Sequence, residues 1–113
     1  MGRPLTPRER SVLIAMLTLG EAAEPIPEER RREWVSRVPA IQAGPRCGCG
    51  TCPSIALLPE PQRPSDPILL HGSTDGAGLL VSIDDDQPSY LELYPTGGQA
   101  FSEFPPPEAL SFC

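Results

Sequence analysis

The chain has 113 residues, 39% of them apolar and 5% aromatic, so one domain with a modest core built from Leu, Ile, Val and Ala is expected. Formal net charge is −6, carried by nine arginines, no lysine and fifteen acids, and it is uneven: residues 1–46 hold a net +2 and residues 47–113 a net −8. Phosphate backbones demand the opposite balance, which argues against a nucleic-acid binder, and no run reaches the ~20 apolar residues of a membrane-spanning helix.

The first element is a helix over "TPRERSVLIAMLTLG". Thr6 is suited to cap it, Pro7 to open it, and Glu9 completes a capping box three residues on. Val12, Leu13, Met16 and Leu17 form the apolar face, widened by Ile14 and Leu19. Gly20 is expected to stop the helix in the left-handed conformation. Arg3, Arg8 and Arg10 before an apolar run faintly resemble a secretory leader, but Glu9 interrupts the basic stretch and the run is short. A cytoplasmic location is therefore expected, where disulfides do not persist.

A second, amphipathic helix is predicted over residues 27–38, with Trp34, Val35, Val38 and Arg31 on one face. Glu28–Arg32 and Glu33–Arg37 stand at i,i+4 in the favourable order. Pro39 ends it, and residues 40–44 form a short strand. Sixteen prolines cut the chain into short pieces. Residues 53–58 read as a strand and 59–67 as a proline-rich loop. "ILLHGSTDGAGLLVSI" reads as a hairpin turning at Asp75-Gly76. The next hairpin, "SIDDDQPSYLELYP", turns within Asp84–Pro88. Leu79, Val81 and Ile83 alternate to one side with Leu91 and Leu93, leaving Tyr90, Glu92 and Tyr94 on the other. In the tail, Pro107 can begin one helical turn. The expected fold is α+β: two N-terminal helices (1–39) packed on a four- to five-stranded antiparallel meander (40–113), all in a single domain.

Three segments carry candidate chemistry. Cys47, Cys49 and Cys52 lie within "RCGCGTC", and Cys49-Gly-Thr-Cys52 has the spacing of a zinc knuckle. A structural Zn²⁺ needs a fourth ligand, with His71 or Cys113 the options; the other readings are a redox pair or buried thiols in a glycine-rich turn. His71, Ser73 and Asp75 share one strand face, which sets them side by side and does not make a catalytic triad. Asp84, Asp85 and Asp86 lack the spaced oxygens, central glycine and distal Glu of an EF-hand and read as a solvated turn. Beside that turn Tyr90, Glu92 and Tyr94 make an acidic, aromatic patch, an interface if the helices cover the opposite sheet face and core if they cover this one.

"RCGCGTCPSI" and "PSYLELYPTGGQAFSEFPPPEAL" resemble a family of small uncharacterised bacterial proteins. That family shows a Cys-Gly-Cys-Gly turn leading to Pro-Ser and a strand, a later Ser-x-Leu-Glu strand, and a closing Pro-Pro-Glu-x-Leu. The resemblance covers residues 46–55 and about 89–110 and implies a bacterial protein; at Gly50-Thr51-Cys52 the sulfur is displaced by one place. Taken together, the expectation is a small acidic, non-catalytic module of inhibitor or immunity type. It would bind a protein partner with a basic surface through Asp84, Asp85, Asp86, Tyr90, Glu92 and Tyr94. A zinc-binding accessory domain held by Cys47, Cys49, Cys52 and His71 is the alternative.

Overall fold

In the computed structural model, which describes residues 2–46, 48, 52–63 and 66–112, strand β1 (Arg3–Pro4) leads into helix α1 (Pro7–Leu19) and helix α2 (Glu28–Arg37). Strands β2 (Gln42–Arg46), β3 (Ile55–Leu58), β4 (Ile68–Thr74), β5 (Ala77–Asp84) and β6 (Gln87–Pro95) follow. The fold is α+β. All six strands form one antiparallel sheet in the order β1-β2-β3-β6-β5-β4.

Two features differ from the sequence reading. The sheet has six strands, because Arg3–Pro4 pairs with Ala43 and Gln42 of β2. Two residues, one a proline, carry no strand periodicity, yet they suit a short edge that discourages further pairing. The second difference is topology. Only β4, β5 and β6 form a meander; β3 lies beside β6, so the chain crosses the end of two strands before starting β4. That crossing spans three interstrand steps, about 14 Å. The segment 59–67 holds four prolines, and a proline-rich chain of that length, at about 3.1 Å per residue when extended, is long enough for the crossing.

Helix α1 forms as its sequence dictates. Thr6 Oγ1 accepts from the Glu9 N–H at 3.1 Å, and the Glu9 carboxylate accepts from the Thr6 N–H at 2.8 Å. Arg3 then closes on the same carboxylate through two bonds of 2.9 Å, tying β1 to the first turn of α1. Burial pushes the Glu9 carboxyl up, but Arg3, the Thr6 N–H and the Thr6 hydroxyl outweigh it and hold it below its ordinary value.

The other end of α1 departs from expectation. Gly20 has φ −57° and ψ 141°, which is extended rather than left-handed. A glycine is needed there for space: a Cβ would stand 2.5 Å from the Met16 carbonyl oxygen and 2.9 Å from Leu70 Cβ. Arg31 of α2 donates to the Leu17 carbonyl at 3.0 Å and the Gly20 carbonyl at 2.8 Å, satisfying acceptors that a left-handed cap would have served. Leu19, expected to widen the apolar face, is 59% exposed.

The core lies between the helices and one sheet face. Val12, Leu13, Met16 and Leu17 of α1 and Trp34 of α2 meet Ile55, Leu57, Leu70, Leu79, Val81, Leu91 and Leu93 from the strands. Each such side chain is worth roughly 1.5–3 kcal/mol of burial. The tail returns over the same side, burying Phe104 and packing Phe101, Leu110 and Phe112 against the core. Gly72 of β4 leaves room there for Met16 and Phe112. The radius of gyration is 13.1 Å, close to the ~13 Å of a compact chain of about this length.

The β4 edge is partly closed by the chain itself. Glu21 exchanges two backbone hydrogen bonds with His71, at 2.9 and 2.8 Å, and Ser111 does the same with Ser73, at 2.8 and 2.7 Å. Among the described residues no helix is long and apolar enough to cross a membrane.

Candidate functional site

The helices take the Leu79–Val81–Ile83 side of the sheet, which puts Tyr90, Glu92 and Tyr94 on the face they leave open. The register builds that face directly. Tyr90 stands opposite Ser82 and Ala56, Glu92 opposite Leu80, and Tyr94 opposite Gly78. Gly78 has a specific part in this: a Cβ at that position would fall 2.1 Å from the Tyr94 ring. The missing side chain lets the tyrosine lie flat across β5. Tyr94 is 41% and Leu69 38% exposed, while Tyr90, Glu92, Leu80, Ala56 and Leu58 are half-buried by one another.

On β5 and β6 the open face presents Glu92 and Asp84. Three of the arginines on the helical side are engaged there: Arg3 with Glu9, Arg8 with the Phe104 carbonyl at 2.9 Å, and Arg31 with the end of α1. An apolar-aromatic surface with acidic side chains and no arginine from these strands suits a partner of opposite charge.

The aspartate run resolves into three different roles. Asp85 and Asp86 have φ +49° and +62°, forming a two-residue hairpin between Asp84 and Gln87. Both central residues have positive φ, as type I′ hairpin turns require, and aspartate tolerates that region better than most residues. Asp84 accepts a short hydrogen bond from the Ser89 hydroxyl. Asp86, placed in the binding patch from the sequence, is engaged by helix α2. Its Oδ1 accepts from Trp34 Nε1 at 2.9 Å and Arg30 Nε at 3.0 Å, and the Arg30 guanidinium lies 5.4 Å from the centre of the Trp34 ring. Burial opposes the charge on Asp86, but the indole N–H, Arg30 and Arg37 prevail and hold the carboxyl below its usual range. Asp86 is the pin that fastens α2 to the β5–β6 turn. Asp85, at the tip, is exposed.

The zinc ligands proposed from sequence are not brought together where they can be followed. Cys47, Cys49 and Cys113 lie outside the described residues. Cys52 is half-buried against the core just before β3. His71 is exposed on β4, and β6 and β5 intervene between β3 and β4. The three interstrand steps from β3 to β4 amount to about 14 Å, against Zn–S and Zn–N bonds of about 2.0–2.3 Å. Among the described residues no three His, Cys, Asp or Glu side chains group as a metal site.

Sequence reasoning missed the groove beside the free start of β4. It measures about 460 Å³ and is lined by Ala22, Ile26, Ile68, Leu69 and His71, with Glu24 and Asp66 among its polar groups. Its residues come from a loop and a strand start far apart in sequence, and the only local signal was the proline and small-residue content of 22–27. Compared with family models, with curated proteins and with solved structures, the chain matches none.

Proposed function

We propose that this chain is a small acidic, non-catalytic protein-binding module of inhibitor or immunity type that seats a basic protein surface on the open face of its sheet, in the cytoplasm. The observation that supports it most is the uncovered β6 row of Tyr90, Glu92 and Tyr94, with Tyr94 laid over Gly78. Tyrosines are frequent anchors of interfaces because they combine large contact area with a polar tip. The neighbouring Leu80, Leu58 and Leu69 supply apolar area around them, and Asp84, Asp85 and Glu92 supply the complementary charge.

The reading is tested by capture from a native lysate with three immobilised proteins: wild type, a Tyr94→Ala/Glu92→Lys variant, and an Arg32→Ala control on exposed α2. The expected result is a basic partner retained by wild type and control, lost by the face variant, and weakened as salt rises. A partner held equally by all three, or held equally at any salt, overturns the proposal.

A further inference from the structure

The edge of β4 offers three successive outward-facing backbone positions, Leu69, His71 and Ser73. Two of them are filled by the chain's own extended residues, Glu21 and Ser111. Leu69 shares their parity, so its N–H and C=O also point away from β5. Among the described residues neither group has a hydrogen-bond partner. After Glu21 the chain diverges from β4, and the gap it leaves is the groove of about 460 Å³.

We infer that this groove receives an extended, basic segment of the protein partner, which adds to β4 as one further short strand by pairing with the Leu69 backbone. The inference rests on the partner being basic, as proposed above, and deepens that reading. Main-chain groups left on a sheet edge are templates for strand addition, where backbone bonds supply affinity and alternate side chains supply specificity. The alternation is defined here. A residue paired with Leu69 places its side chain on the open face, and its two neighbours point to the floor formed by Ala22, Ile26 and Ile68, which pack against the core. Glu24 and Asp66 line the groove and Glu21 lies exposed at its end. The one arginine lining it, Arg30, is held by Asp86. The segment that fits therefore alternates basic and small apolar residues.

The test uses the full chain, labelled with ¹⁵N, and a blocked tripeptide of sequence Val-Arg-Val as probe, short enough to stop before the position that Glu21 fills opposite His71. Binding is expected to move the Leu69 amide proton downfield and slow its exchange about tenfold or more. N-methylation of the arginine amide, or replacement of the arginine by glutamate, is expected to weaken binding by about tenfold. The N-methylated probe leaves the protein untouched. Leu69→Pro removes the same bond from the protein side, at an edge position where proline is tolerated, and the same loss is expected. An unmoved Leu69 amide, or equal binding by the N-methylated or the acidic probe, overturns the inference. The two readings fail separately. Shifts confined to Tyr90 and Tyr94 remove the groove and leave the open face standing. A protected Leu69, with capture of the partner indifferent to Tyr94→Ala/Glu92→Lys, removes the open face and supports the groove.

Discussion

Replacing Asp86 by alanine should be among the most damaging changes in any turn of this protein. Trp34 is fully buried, so removing the Asp86 carboxylate strands its indole N–H, which accounts for about 1–3 kcal/mol. The ion pair with Arg30 is weaker, because the two side chains are 43% and 41% exposed; its loss adds at most about 1 kcal/mol. The expected sum is about 1–4 kcal/mol, or a fall in Tm of about 4–16 °C at roughly 4 °C per kcal/mol for a chain of this size. Asp86→Asn keeps an oxygen for the indole and tolerates the same φ, so it should cost less than about 1 kcal/mol. Urea unfolding of both variants, followed by Trp34 fluorescence, measures the difference. If Asp86→Ala stays within about 0.5 kcal/mol of wild type, or if Asn is as harmful as Ala, the pin between α2 and the hairpin is not what holds them.

Glu9 and Asp86 both have folded-state pKa values below their ordinary ones. Their contribution is therefore complete above the unfolded value, about 4, and is lost as pH falls through the lower folded values. Acid unfolding should steepen below about pH 4, and Glu9→Gln/Asp86→Asn should flatten it; parallel acid titrations would expose an error in that sign. Gly20→Ala drives a Cβ into the Met16 carbonyl and Leu70, and a loss of about 2 kcal/mol or more in a denaturant midpoint is expected. Gly78→Ala should leave stability within about 1 kcal/mol, because Tyr94 can swing aside, yet reduce partner capture as severely as Tyr94→Ala. His71→Ala should leave the zinc content of untagged protein unchanged, as elemental analysis can check, because β6 and β5 stand between β3 and the strand that carries His71.

Local chemistry made much of this protein legible from its residues. The capping box at Thr6 and Glu9, the two-residue turn at Asp75-Gly76 and the alternation that parts Leu91 and Leu93 from Tyr90, Glu92 and Tyr94 all depend on near neighbours, and all stand as read. The i,i+4 pairs Glu28–Arg32 and Glu33–Arg37 form for the same reason, at 3.3 and 2.9 Å. What periodicity leaves undecided is everything set by distant packing. Alternation assigns two faces to a strand but does not say which one a helix will cover; Met16 settling over Gly72 and Gly20 against Leu70 decided that. Asp86 reads as one of three solvated acids until Trp34 comes within hydrogen-bond reach from 52 residues away. Gly20 reads as a left-handed cap until Leu70 shows that volume, not φ, is what excludes a side chain there. The order of strands was likewise beyond local signals, because β3 pairs with β6 across a loop whose prolines specify an extended path but not its destination. Composition and short-range spacing determined the elements and their two-sidedness; side-chain volume and buried hydrogen-bond demand, which act only once the chain has closed, decided which side faces out.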